Sequence, residues 1–212
     1  MRLVVLSDTH GQHDKITDVP KGDILIHAGD FMNSGTDLLE IISFNRWLGE
    51  QPFRHRVVCA GNHDKYFESD PGAARALLTN AHYLENSEIT IEGIRLWGSP
   101  YTPEFFHWAF MYPRGTAATR YWDSIPEHLD VLITHGPPHG ILDQIYGKGE
   151  HLGCEELLKA VEAKRPRLHV FGHIHSGHGV AHNEHTRFVN ASLLDERYNV
   201  RYTPIVEVME PK

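Results

Sequence analysis

The chain has 212 residues, 41% hydrophobic and 23% charged, the balance of a globular protein with a sizeable core. A net charge of −8 argues against long nucleic acid as a partner, and two cysteines are too few for a disulfide framework. The apolar stretch Leu3 to Leu6 is too short for a signal peptide, and no run reaches the ~20 apolar residues of a membrane span. The expectation is a cytoplasmic protein with no membrane partner, organised as one domain over residues 1–212, with its oligomeric state left open.

The first short apolar run, RLVVLS (2–7), reads as a buried strand. DILIHAG (23–29) reads the same way, and Thr36 to Glu50 then spaces its apolar residues as a helix does. HRVVCAG (55–61) is a third strand, with Cys59 a small core residue, and a helix opening on Pro71 runs to Thr79. HYLENSEITIEGIRLWG (82–98) reads as a hairpin turning at Glu92-Gly93. Residues 99–128 are irregular, with four prolines and many aromatic rings. A segment of that kind packs into the core or walls a pocket. DVLITHG (130–136) and RLHVFGH (167–173) are two more strands, separated by a helix over Glu150 to Lys164. The tail adds GHGVAH, TRFVN and PIVEVM as short antiparallel strands. Strands alternating with helices indicate an α/β fold.

The residues just past each strand matter more than the strands themselves. RLVVLS leads into Asp8-Thr9-His10, DILIHAG into Asp30, and HRVVCAG into Asn62-His63-Asp64. DVLIT leads into His135, and LHVFG into His173-Ile174-His175. Ligands of open α/β sheets bind beyond the carboxyl ends of the strands. Singly, each residue has a bland alternative, such as a helix cap for Asp8 or a turn for Asp30 and Asn62. Jointly, two carboxylates, an amide and five imidazoles on one sheet edge describe a metal site without thiolates, suited to Mn, Fe or Zn. Asp-x-His and His-x-His each place two donors on one side of an extended chain.

SDTHG, AGDF, GNHD, THGPP and GHIH, in this order, resemble the five motifs of the calcineurin-like metallophosphoesterase superfamily. The stretch 98–115, the THGPP form and VNAS (189–192) resemble its metallophosphoesterase-domain-containing (MPPED/UPF0046) phosphodiesterase branch. The resemblance implies a four-layer α/β/β/α sandwich of two mixed sheets flanked by helices. It also implies two divalent ions, Mn²⁺ first and Fe or Zn next, and a small phosphoester or nucleotide substrate. By the same carry-over, Asp8, His10 and His175 match one metal site and Asn62, His135 and His173 the other, with Asp30 as the bridge. His63 matches the residue that meets the phosphate and protonates the leaving oxygen, so His63, Asp30 and Asn62 form the implied catalytic group. The implied reaction is hydrolysis of phosphodiesters such as cyclic nucleotides by a metal-bridging hydroxide. The alternatives are a phosphomonoesterase of the same fold or a non-catalytic nucleotide-binding scaffold.

Asn33 and Ser34 stand where phosphatase relatives carry the aspartate that orients the catalytic histidine and an arginine beside it, so His63 has no evident partner. Asp64 is a candidate support or a plain turn residue. Asn33, Asn190 and Arg114 are candidate phosphate donors, and His107, Trp108 and Phe110 are candidate stacking groups for a base or aryl ring. His82, His128 and His185 have no role and read as surface residues.

Overall fold

A computed structural model describes residues 1–211, and the expected runs become two mixed sheets. In the first sheet, β1 (Arg2–Leu6), β2 (Ile24–His27), β3 (His55–Cys59) and β4 (His82–Leu84) run parallel, and β13 (Ile205–Val208) adds antiparallel to β1. In the second, β6 (Ile94–Ser99), β9 (Val131–Thr134), β10 (Leu168–Phe171) and β12 (Arg187–Asn190) run parallel. Its flanks are antiparallel: β5 (Ser87–Ile91) pairs with β6, and β11 (Gly179–His182) with β12. A third, two-stranded pair joins β7 (Thr102–Pro103) to β8 (Met111–Tyr112).

Period-two alternation turns these runs into layers. Leu3, Val5, Ile24, Ile26 and Val57 face Leu96, Val131, Ile133, Val170 and Val189 across the sheet–sheet interface. The alternate residues Val4, Leu6, Leu25 and Val58 face outward onto α1 (Leu38–Glu50), which buries Ile41, Phe44, Trp47 and Leu48. On the far side Trp97, Leu132, Phe171 and Phe188 meet α5 (Glu155–Lys164) through Leu157 and Val161. The result is the expected α/β/β/α sandwich.

Several boundaries differ from the sequence reading. Residues 150–154 stay outside α5 because the Cys154 sulfur caps its start, accepting from the Leu157 amide at 3.3 Å. In the 82–98 stretch only β5 and β6 form the hairpin; β4 belongs to the first sheet, so the chain changes sheets at Glu85-Asn86. Glu92 and Gly93 both take positive φ, the geometry of a tight hairpin turn. Of the tail strands, β12 joins β10 in parallel rather than antiparallel. The chain also contains α2 (Lys65–Ser69) and α4 (Thr119–Trp122), too short for a periodic signal, beside α3 (Pro71–Leu77) with its expected proline start. Among the described residues no helix is long and apolar enough to cross a membrane.

The segment 99–128 does both things expected of it. Tyr112, Ala118, Trp122 and Ile125 fill the second-sheet core, whereas Phe105, Phe106, His107 and Trp108 wall a cavity of about 670 Å³.

Candidate metal centre

The register aligns the ligand loops. Leu6 pairs with His27 and His27 with Val58, so β1, β2 and β3 end level with one another. Val170 pairs with Ile133, which does the same for β9 and β10. Asp8, His10, Asp30, Asn62 and His63 therefore leave the first sheet at the edge where His135, His173 and His175 leave the second. His10, Asp30, Asn62, His63, His173 and His175 line the 670 Å³ cavity.

The ligand loops are backbone-strained. Asp8 (φ 55), His10 (φ 42), Asp30 (φ 55) and His173 (φ 67) are all left-handed. Such residues cost about 1–3 kcal/mol each and persist where the surroundings over-determine them. Here cross-loop bonds do so: the His10 amide donates to the Asp30 carbonyl at 3.0 Å, and the His173 amide donates to Asp8 Oδ2 at 3.0 Å. Gly61 and Gly172 sit where a side chain has no room: a Cβ on Gly61 would strike Asp30 Oδ1, and one on Gly172 would strike Asp8 Oδ2.

Three donor clusters result: two that span both sheets, and a third, His10, Asp30 and His63, that shares a member with each. Asp8, His10 and His175 offer atoms within 4.8 Å of one another, and so do Asp30, His135 and His173. In the first set, Nε2 of His10 and Nε2 of His175 face each other at 3.3 Å, with Asp8 Oδ1 3.5 Å from His175 Nε2. In the second, Nδ1–H of His135 donates to the Ala28 carbonyl at 3.0 Å. Its Nε2 lies 3.0 Å from Asn62 Oδ1 and 3.2 Å from Asp30 Oδ2. Asp30 Oδ2 also lies 3.7 Å from His10 Nε2, between the two sets.

Carboxylate oxygens and imidazole nitrogens thus converge on one point, where protons on the imidazoles or a cation balance the two carboxylates. The electrostatics carry the same demand. Burial opposes charge on His135, yet the Asp30 carboxylate beside it raises its pKa to about 9. Burial likewise opposes charge on Asp30 and Asp8, but the neighbouring imidazoles hold both carboxyls below their usual range. Burial lowers His10 to about 4 and His173 to about 3, leaving both as neutral donors suited to a metal. Carboxylate, amide and neutral imidazole fit hard-to-borderline divalent ions.

The supports around the ligands are specific. His175 Nδ1–H donates to the Asp195 carbonyl at 3.0 Å, and Ser192 Oγ–H to Asp8 Oδ2 at 2.8 Å. Asp64 is fully buried and no mere turn residue: its carboxylate accepts from the amides of Asp30, Met32 and Gly61 at 2.7–2.9 Å. It thus ties the second motif to the third. His63 does have a partner. Its Nδ1–H donates to the backbone carbonyl of Asn33 at 2.9 Å, and its amide donates to Asp30 Oδ1 at 2.7 Å. The position that lacks the relatives' aspartate therefore acts through its main chain.

Other expectations are altered by the geometry. The Asn190 amide group donates to the Leu142 and Ile174 carbonyls, and its oxygen accepts from Ser192 N–H, so nothing remains for a phosphate. Arg114 lines the cavity and is anchored there by bonds from its two terminal nitrogens to the carbonyls of Leu152 and Gly153, with further N–H groups left over. Phe110 is buried, and the Trp108 indole is already engaged by the His63 ring at 4.2 Å and the Lys65 ammonium at 4.3 Å. Free aromatic surface comes instead from Phe106, 81% exposed, and from Tyr198, whose ring lies 4.8 Å from that of His10. Tyr198 escaped the sequence reading because it sits in a turn (DERYN) with no motif around it. His82, His128 and His185 are exposed as expected.

The profile of the calcineurin-like phosphoesterase family matches residues 1–177, and the chain belongs to that family, whose activity is metal-dependent hydrolysis of phosphoesters. Over 97% of its length the chain is 43% identical to human metallophosphoesterase domain-containing protein 1, covering 70% of that protein. It is 39% identical to a UPF0046 protein of Caenorhabditis elegans, again over 97% of its length and covering 74% of that protein. In fold it is similar to TT1561 of Thermus thermophilus, with a TM-score of 0.62, 16% identity and coverage of 89% of this chain and 88% of that one. The phosphopantetheinyl hydrolase of Mycobacterium tuberculosis has the same fold, with a TM-score of 0.58, 17% identity and coverage of 92% and 90%.

Proposed function

We propose that the protein is a di-metal phosphodiesterase of small phosphodiesters, cyclic nucleotides among them. The observation that carries this reading is Asp30, whose Oδ2 lies within 3.7 Å of an imidazole of each ligand set, with His63 held beside it. Asp8, His10 and His175 hold one ion, Asn62, His135 and His173 the other, and Asp30 both. Mn²⁺ is the favoured occupant, and Fe or Zn also suits these donors. When bound, the pair would supply an activated water and positive charge for the phosphoryl oxygens.

The chain's own groups do the rest. His63, anchored through Nδ1, presents Nε2 to the site, where it holds the proton that the leaving oxygen takes. The cavity, about 670 Å³, is larger than a phosphate needs, and Phe105, Phe106 and Tyr198 give its walls an apolar face for a second ester group. That space favours a diester over a monoester. The net charge of −8 supports a small substrate rather than long nucleic acid, and two buried free cysteines suit the reducing cytoplasm.

The test uses chelator-stripped protein with and without Mn²⁺, on a bis-aryl phosphate, an aryl phosphate monoester and cyclic nucleotides. Metal-dependent turnover that favours the diesters is expected. Preference for the monoester would make the protein a phosphatase, and no turnover with any divalent ion would make it a binding protein.

A further inference from the structure

His63 is anchored by a backbone carbonyl. One hydrogen bond to Asn33 sets the tautomer and leaves the ring able to swing about that bond, where a bidentate carboxylate would restrain it. Two rings close off the swing. The His10 imidazole meets His63 edge-on, with centroids 4.5 Å apart and an interplanar angle of 89°. The Trp108 indole covers one face at 4.2 Å and 28°. The ammonium of Lys65 also sits over that indole, 4.3 Å from its centroid. The indole is itself fixed to the loop it supports: the Ala109 amide donates to the Asn62 carbonyl at 3.2 Å, and the Phe110 amide to Glu68 Oε1 at 2.8 Å. Trp108 lines the cavity with both groups against its ring.

We propose that Trp108 is a positioning residue for His63: clamped by Lys65, it holds the imidazole so that Nε2–H points at the departing ester oxygen. The inference rests on the reading of His63 as proton donor. In the step it serves, water adds to phosphorus and the ester P–O bond breaks with its electron pair on the leaving oxygen. The Nε2 proton goes to that oxygen, and the imidazole is reprotonated from solvent, which has taken up the proton lost by the attacking water.

A proton donor matters most when the leaving alkoxide is strongly basic. The experiment compares Mn²⁺-loaded wild type, Trp108→Leu, Trp108→Phe, His63→Asn and the double variant His63→Asn/Trp108→Leu. Each acts on two methyl phosphodiesters, one releasing nitrophenol and the other phenol, with metal content measured for every protein. Trp108→Leu is expected to keep both ions and an unchanged KM. Its kcat on the phenyl ester should fall by about 10- to 100-fold, part of the 10²–10⁴ that a general acid supplies, while the nitrophenyl ester changes several-fold at most. Trp108→Phe should restore most of the loss, and the double variant should be no slower than His63→Asn. If Trp108→Leu fails to hold metal, Lys65→Met carries the test through the same leaving-group dependence at a smaller amplitude. Equal losses on the two esters, a change in KM alone, or additive losses in the double variant would overturn the proposal. If His63→Asn is itself harmless, the proton-donor reading falls. If His63→Asn shows the leaving-group dependence and Trp108→Leu does not, only the positioning role falls.

Discussion

The two sheets contribute unlike chemistry to one edge. The first supplies both carboxylates and the amide, Asp8, Asp30 and Asn62, on three separate loops, with only His10 among the nitrogen ligands. The second supplies imidazoles alone, His135, His173 and His175. The sets Asp8/His10/His175 and Asp30/His135/His173 each draw on both sheets, whereas His10, Asp30 and His63 cluster on first-sheet loops alone. The negative charge that compensates two dications sits on one side of the interface, and neutral donors sit on the other. Substituting Asp8 or Asp30 therefore removes charge, whereas a second-sheet substitution removes one imidazole.

That contrast can be broken most severely at Asp30. Asp30→Asn keeps the shape and removes the charge shared by both sets; loss of both ions and a fall in turnover above the ~100-fold typical of losing a ligand's support are expected, read by elemental analysis and kinetics. Gly172→Ala should come next, because its Cβ has to displace the Asp8 carboxylate. The expected outcome is a protein depleted of the first ion and marginally folded, checked by metal content and thermal unfolding. His175→Ala, on the second sheet, should lose one ion and retain the other, which a metal-to-protein ratio near half that of wild type would establish. Ser192→Ala removes only the hydroxyl that donates to Asp8 Oδ2 and should weaken the first ion by about 10-fold in a chelator competition.

The smallest effect concerns two histidines that the sheets bury in matching places. His27, on the outer face of the first sheet, donates from Nε2 to Thr9 Oγ1 at 3.1 Å. His169, on the outer face of the second, donates from Nε2 to Thr134 Oγ1 at 2.8 Å, since the threonine's own proton goes to the Gly136 carbonyl. Burial lowers each to about 3. In the unfolded chain both take up protons near pH 6.5. Between about pH 6.5 and pH 3 the unfolded state thus binds more protons, and stability falls as the pH falls through that window. A urea midpoint that declines below pH 6.5, and declines less steeply in His169→Gln, is the expected result.

Candidate ligand positions were legible in the sequence because each lies within three residues of the end of an apolar run. A strand end is the point where a side chain turns from the sheet toward the crevice. Motif order named the residues that the structure brings to one edge. Supports were illegible for a physical reason: they act through backbone atoms or across long separations. The Asn33 carbonyl on His63, the Ser192 hydroxyl on Asp8 and the Trp108 indole have no local periodicity to announce them. Arg114 and Asn190 looked like phosphate ligands by residue type, and only the structure shows donors of both bonded to carbonyls. The change of sheet after β4 was equally hidden, because an apolar run does not say which sheet it joins.

That change of sheet has a consequence for biogenesis. Asp8, Asp30 and Asn62 precede the crossover, and His135, His173 and His175 come after it. During synthesis the acidic half of the centre emerges first, and the donor sets that span both sheets are complete only when the strands of the second sheet have formed and closed the sandwich against it. Ion capture by those sets is therefore a late event that reads out completion of the fold.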